Sequence, residues 1–285
     1  MSELKNLALG SVDEKSALFE SMADKIWDNP ELSLKEFGAA KLYCDTLRAE
    51  GFEVEENICG IKTAFSGKFG SGKPVIGILG EFDALSGLSQ TAGAEEYAPI
   101  ISGGSGHGCG HNLLGAGSLA AAVAVKKYLE LSGKSGTVIY FGCPGEEGGA
   151  AKAFMARDRI WEELDAALTW HPDDVNQVTS GTCNTCIQTE YKFTGIASHA
   201  SGSPEFGRSA LDAVELMNVG VQFLREHMPQ EARIHYAITD AGGNSPNVVQ
   251  PHAQVLYMVR SQLAKDALAL QERVDKIAQG AAMMT

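Results

Sequence analysis

The sequence predicts an α/β fold: a mostly parallel sheet flanked by helices, followed by a smaller α+β unit. Apolar runs of strand length, such as Pro74–Gly80, Thr137–Gly142 and Ala166–Trp170, are continuous rather than alternating, the pattern of strands buried on both faces. Helix-length segments separate them, which favours parallel pairing. Past about residue 186 the order becomes strand, helix, strand, strand, helix, a ferredoxin-like β-α-β-β-α unit without its last strand.

The elements follow in chain order. Ser11 and Glu14 have the spacing of a capping box ahead of an amphipathic run to about Asp28, and Pro30 stops it. Ser33 and Glu36 repeat that spacing before a second helix, which Gly51 ends. Strands are expected over Phe52–Ile58, Ile61–Ser66 and Pro74–Gly80. A Gly-rich loop, Ser102–His111, leads into an Ala-rich helix from Asn112 to about Leu131, closed by Gly133. Thr137–Gly142 is a strand, Ala150–Arg157 a short helix and Ala166–Trp170 a strand. The second unit is expected as strand Ile187–Gly195, helix Arg208–His227, strands Arg233–Thr239 and Ala253–Arg260, and helix Lys265–Ala281. These patterns divide the chain into domains at residues 1–186 and 187–285. The last strand is expected where the sequence stops, at Thr285, so both domains read as incomplete at that end.

Composition excludes several functions. The 285 residues carry 23 Lys and Arg against 36 Asp and Glu, a net charge of −13, so no basic face is expected for nucleic acid or an anionic membrane. No apolar run approaches the roughly 18–20 residues of a membrane span, and the first residues carry no signal-like apolar stretch. Six cysteines are too few for a disulfide scaffold of this length. A soluble cytoplasmic protein with reduced thiols is expected.

The chemistry sits after the buried strands. Glu81-Phe-Asp83 follows one, and Gly106-His107-Gly-Cys109-Gly-His111-Asn112 comes next. Cys143-Pro-Gly-Glu146-Glu147-Gly-Gly follows another strand, and His171-Pro172 a third. Parallel α/β sheets collect their sites at such carboxyl ends. A thiolate, imidazoles and carboxylates together suit Zn²⁺ or a neighbouring transition metal better than Mg²⁺ or Ca²⁺. A metal hydrolase also needs one carboxylate on the ion and a second, unbound, to take a proton from water. Glu146 and Glu147, bracketed by Pro and Gly, can supply both. Two weaker signals are set aside. Gly115-Ala-Gly117-Ser-Leu-Ala120 matches a dinucleotide pattern but lies within a helix, where small residues indicate close packing. Cys183 and Cys186 have redox spacing without a helix N-terminus to lower a thiol pKa.

The strings GEFDALSGLSQ, GHGCGHNLLG, GCPGEEGGAAKAFM, ALTWHP, GIASHASGSPEFGRSALDAVELM and HYAITDAGGNSPNVVQ, in this order, resemble the dinuclear-metal amidohydrolases related to carboxypeptidase G, aminoacylases and auxin-conjugate hydrolases. The resemblance implies a catalytic α/β domain carrying an inserted ferredoxin-like lid that also dimerises, as a homodimer or with a paralogous subunit. It implies two divalent ions, Zn or Mn with Co or Ni as further candidates, held by Cys109, His111, Glu147 and His171. By the same resemblance Glu146 is the general base, Asp83 orients the centre, and His199 stabilises the oxyanion in a partner's site. Asn247 and Arg208 are candidates for the substrate carboxylate. The implied reaction is hydrolysis of an N-acyl or N-aroyl amino acid, with p-aminobenzoyl-glutamate as the suggested substrate.

Two departures stand out. Glu81 occupies the position where the wider family has a His ligand. All seven histidines, the last of them His252, precede the region from which the family draws a further ligand. The other reading left open is a catalytically incomplete partner subunit or fragment that dimerises through its lid.

Overall fold

A computed structural model describes residues 3–178 and 181–285. The chain divides into two compact units, Met1–Asn176 and Gln177–Thr285.

The first unit opens with three helices, α1 (Glu3–Glu14), α2 (Ser16–Asp28) and α3 (Phe37–Ala49). Strands β1 (Glu53–Glu56), β2 (Phe65–Ser71) and β3 (Val75–Gly80) come next, then the long helix α4 (His111–Ser132). Strand β4 (Gly136–Gly142), short helix α5 (Ala151–Arg157) and strand β5 (Ala166–Leu168) complete it. The sheet order is β1-β2-β4-β3-β5. β3 pairs in parallel with both β4 and β5, and β2 is antiparallel to its neighbours, so four of the five strands point one way. The mostly parallel sheet expected from the apolar runs is therefore present.

Strand β4 shows why those runs are continuous. All seven of its residues are buried. Val138 and Tyr140 pack with α2, α3 and α4 through Met22, Tyr43, Leu47 and Leu119. Ile139 and Phe141 face the opposite layer, with Ile58, Met155 and the half-buried Trp161. A strand covered on both faces has no polar side to display.

Two local expectations change. Ser11 lies inside α1 and its hydroxyl donates to the Ala8 carbonyl at 2.7 Å, so the first capping box does not form. A serine can satisfy itself in this way within a helix, which makes the four-residue signature ambiguous. The second strand starts at Phe65 rather than Ile61, because Ile58–Gly60 forms a 3₁₀ turn whose Ile58 packs under the sheet.

The second unit contains β6 (Thr185–Thr194), α6 (Ala210–Arg225), β7 (Arg233–Asp240), β8 (His252–Ser261) and α7 (Ala264–Met284). Its antiparallel sheet has the order β6-β8-β7, the ferredoxin-like arrangement of these three strands. Ala253, Val255, Tyr257 and Val259 alternate inward from β8 onto Val214, Met217, Val221 and Val274 of the two helices. The first strand begins at Thr185, two residues before the sequence reading started the second domain.

The small residues of α4 do pack closely. A Cβ on Gly115 would lie 2.7 Å from the Glu81 backbone oxygen, and one on Gly117 would lie 2.8 Å from the Trp170 ring. Gly115→Ala is therefore expected to destabilise this unit by about 1–3 kcal/mol, although Ala is the better helix former by about 1 kcal/mol. A urea midpoint that stays put or rises would show that the helix does not depend on this approach.

Candidate metal centre

Three parallel strands deliver the site to one rim. β3 ends at Gly80 and releases Glu81-Phe82-Asp83; β4 ends at Gly142 and releases the turn Cys143–Gly149; β5 leads to Trp170 and His171. The fully buried Phe82 anchors the first segment in the aromatic cluster of Tyr43, Phe65 and Tyr140. Trp170 donates from its indole nitrogen to the Leu114 carbonyl at 3.2 Å, tying the third segment to α4. His111 is the first residue of α4, behind Gly110 with φ of 70°, and its ring meets His171 edge-on at 5.6 Å.

Asp83 joins these segments. Its Oδ1 accepts from His111 Nδ1 at 3.0 Å, while Oδ2 accepts from the Ser33 hydroxyl at 2.7 Å and from the Glu147 backbone N–H at 2.9 Å. Glu36, fully buried, accepts from the backbone N–H groups of Leu34 and Gly145, each at 2.8 Å, and from the Thr63 hydroxyl at 3.0 Å. The second capping-box expectation is thereby corrected: Ser33 and Glu36 bind the site's own turns instead of capping α3, although α3 does end before Gly51 at φ of 81°. Leu34, at φ of 62°, fills the space that a Cβ on Gly145 or Gly149 would take. A leucine in this backbone region is strained and persists because its surroundings fix it.

The donor atoms converge. Cys109, His111 and His171 each offer one ligand atom within 4.8 Å of the others, and so do Glu81, His111 and Glu146. With Nδ1 bound to Asp83, His111 presents Nε2 to both groups, so they are two sides of one centre. His171 donates from Nδ1 to the Pro172 carbonyl at 2.9 Å, which leaves its Nε2 lone pair for a metal. Glu147 Oε1 lies 4.0 Å from His111 Nε2, close to both groups but in neither. Lys152 of α5 forms an ion pair with Glu81.

The field around these atoms is negative. Burial works against ionised Asp83, yet hydrogen bonds from His111, Ser33 and Glu147 outweigh it and lower its pKa. Burial likewise opposes a charged His111, but Asp83, Glu81 and Glu147 together raise its pKa. Glu146 is raised by burial and then by the carboxylates of Glu81 and Glu147. Cys109 is pushed up to about 11, first by its contact with the Glu147 carboxylate and then by burial. A divalent cation reverses this logic by stabilising every anion around it.

The residues fit such an ion. Among the described residues, His111 Nε2 and Glu147 Oε1 are buried and make no hydrogen bond. Unpaired buried polar atoms are costly, and a set of S, N and O donors is what a transition metal binds. Beside Cys109 and His171 opens a cleft of about 610 Å³, walled also by Trp27, His107 and Leu113, with room for a small substrate.

Other candidates fall elsewhere. His107 is buried against the Ile26 carbonyl at 3.1 Å, and burial lowers its pKa to about 4, so it ties the loop to α2. In the second unit His199 bridges to Val248, and the Ala200 N–H donates to the Asn247 carbonyl at 3.0 Å, which places His199 and Asn247 side by side. His199 Nδ1 accepts from the N–H groups of Ser201 and Gly202 at 3.3 and 3.0 Å, so Nε2 carries the proton of the neutral ring. Arg208 spends Nη1 on the Glu205 and Gly207 carbonyls. His227, His235 and His252 belong to the second unit, and the last is bound to Asp240. None of the six cysteines is in a disulfide. Lys152, Ser33 and Glu36 were not legible as site residues, since nothing local in the sequence marks contacts made across 27 to 109 positions.

Residues 77–285 match the family model described as peptidase family M20/M25/M40. The chain is 49% identical over 285 residues to a subunit of the p-aminobenzoyl-glutamate hydrolase of Escherichia coli (strain K12), covering all of this chain and 59% of that protein. It is 28% identical to Xaa-Arg dipeptidase of Mus musculus, covering 99% of this chain and 64% of the relative. The chain thus spans about three fifths of the length of these relatives. In fold it is similar to the aminobenzoyl-glutamate utilization protein from Klebsiella pneumoniae, with a TM-score of 0.68, 18% identity, and coverage of 96% of this chain and 74% of that one. A dinuclear metal-binding peptidase of Bacillus subtilis gives a TM-score of 0.57 at 20% identity, covering 94% and 70%. With the family model matching well over half of its residues, the chain belongs to peptidase family M20/M25/M40.

Proposed function

We propose that this chain carries the metal centre of an amidohydrolase that cleaves the amide of an N-acyl or N-aroyl amino acid, with p-aminobenzoyl-glutamate as substrate. The observation that carries the reading is the convergence of Cys109, His111 and His171 with the Glu146 carboxylate at one strand-end rim. The named relative from Escherichia coli, alike along the whole chain, supports the choice of substrate.

In this reading Cys109, His111, Glu147 and His171 hold divalent ions, zinc or manganese. Such ions supply Lewis acidity toward the amide carbonyl and make water a better nucleophile at neutral pH. Glu146 accepts the proton from the attacking water and delivers it to the departing amine. Asp83 keeps His111 in the tautomer with Nε2 free. His199 offers an Nε2–H donor to the developing oxyanion in the site of a second copy or of a paralogous subunit. What supports that role is its tautomer, set by two backbone N–H groups. Asn247 and the remaining guanidinium nitrogens of Arg208 take the substrate carboxylate. No helix of the described residues is long and apolar enough to cross a membrane.

Glu146→Ala is expected to lower kcat for p-aminobenzoate release by about 10²–10⁴-fold, with metal content by elemental analysis unchanged. Full turnover by this variant would remove Glu146 from the reaction. Asp83→Asn is expected to weaken metal binding by about 10–100-fold, because the amide cannot hold the His111 tautomer as the carboxylate does. Chelator competition measures it, and unaltered affinity would show that Asp83 does not orient the ligand.

A further inference from the structure

Glu81 comes close to His111 without forming a hydrogen bond with it. His111 gives its Nδ1 proton to Asp83, which leaves a lone pair on Nε2, and the side chain is only 1% exposed. Glu81 Oε2 stands 3.2 Å from that nitrogen, yet Nε2 makes no hydrogen bond among the described residues. Glu146 brings a third donor atom within 4.8 Å of both. The contact is within hydrogen-bond distance yet out of line for one, so the imidazole does not satisfy Oε2. The ammonium of Lys152 does not satisfy it either, because it engages the other oxygen, Oε1.

We propose that Glu81 is a ligand of the metal ion held by His111 Nε2: Oε2 binds the ion, while Lys152 holds Oε1 and so keeps the carboxylate monodentate. This rests on the metal-centre reading above and adds a donor to it. A carboxylate oxygen and an imidazole nitrogen at this separation are adjacent corners of one coordination sphere, for which a borderline transition metal is the fitting occupant. Lys152 offsets one negative charge in a cluster that otherwise gathers Glu81, Asp83, Glu146 and Glu147. It leaves Oε2 directed at the ion, where a second carboxylate oxygen would crowd the open position that a substrate needs.

The test is binding of Co²⁺ by the 285-residue chain, followed by chelator competition and by visible absorption, with Cys109→Ser as the reference variant. Glu81→Gln is expected to bind Co²⁺ at least tenfold more weakly and to retain the thiolate–cobalt absorption at saturation. Glu81→His, which restores a donor atom, is expected to bind more tightly than Glu81→Gln, whereas Lys152→Met keeps wild-type affinity or exceeds it. A purely structural Glu81–Lys152 pair predicts the opposite pattern, with Lys152→Met as damaging as Glu81→Gln and no rescue by His, and that result overturns the proposal. Wild-type affinity in Glu81→Gln, with loss in Cys109→Ser, also overturns it and leaves the metal centre standing. Failure of the wild-type chain and of every variant to bind Co²⁺ overturns both.

Discussion

The carboxylate of Asp83 is the constraint on which the rest of the site depends. Its burial is expensive unless every lone pair finds a donor. The three donors it has come from three separate places: the His111 ring, the Ser33 hydroxyl and the Glu147 backbone. One oxygen fixes the imidazole tautomer and the other fixes the turn that carries both glutamates. Loss of either contact would expose a buried charge, so the geometry of the ligands and the stability of the loops are the same free energy. Rotation of Asp83 cannot satisfy one partner without abandoning another. That coupling explains how donors on three strand ends and a helix N-terminus keep a common focus, although the loops between them are rich in glycine.

Much of this was readable in the sequence, and the parts that were not share a cause. Continuous apolar runs announced β3 and β4 because both faces of the sheet are covered there, whereas β5, expected as a buried strand over Ala166–Trp170, is a three-residue edge strand with every residue exposed. Position at the carboxyl ends then singled out Cys109, His111, Glu146 and His171. The ferredoxin-like order of the second unit followed from the succession of strand and helix patterns. Ser11 and Ser33 misled for one reason: a hydroxyl satisfies whichever acceptor tertiary structure brings near, the Ala8 carbonyl in one case and Asp83 in the other. The same holds for Glu36, whose spacing suggested a helix cap while its partners lie at Thr63 and Gly145. Glu81 read as a departure from a family pattern, and only the approach of His111 and Lys152 gives it a chemical context. Residue type and spacing reveal periodic burial; they do not reveal pairings set by the crossing of distant segments.

Glu36 shows how the fold turns such a pairing to advantage. Burial raises its pKa, and the Leu34 and Gly145 N–H groups with the Thr63 hydroxyl pull the other way without cancelling it. A buried carboxylate of this kind is a poor source of stability by itself. It does, however, join the segment before α3 to the residue directly ahead of Glu146. The strained Leu34 backbone is held by the same oxygen, and the leucine side chain occupies the volume over Gly145 and Gly149. A turn flanked by glycines has many conformations in isolation. Closing it from above with a leucine and from the side with a carboxylate removes them, so the ordering entropy of Glu146 and Glu147 is met during folding rather than when substrate binds. The proton transfer proposed for Glu146 depends on close control of donor–acceptor distance, and the turn that carries this glutamate is held by a residue more than a hundred positions upstream.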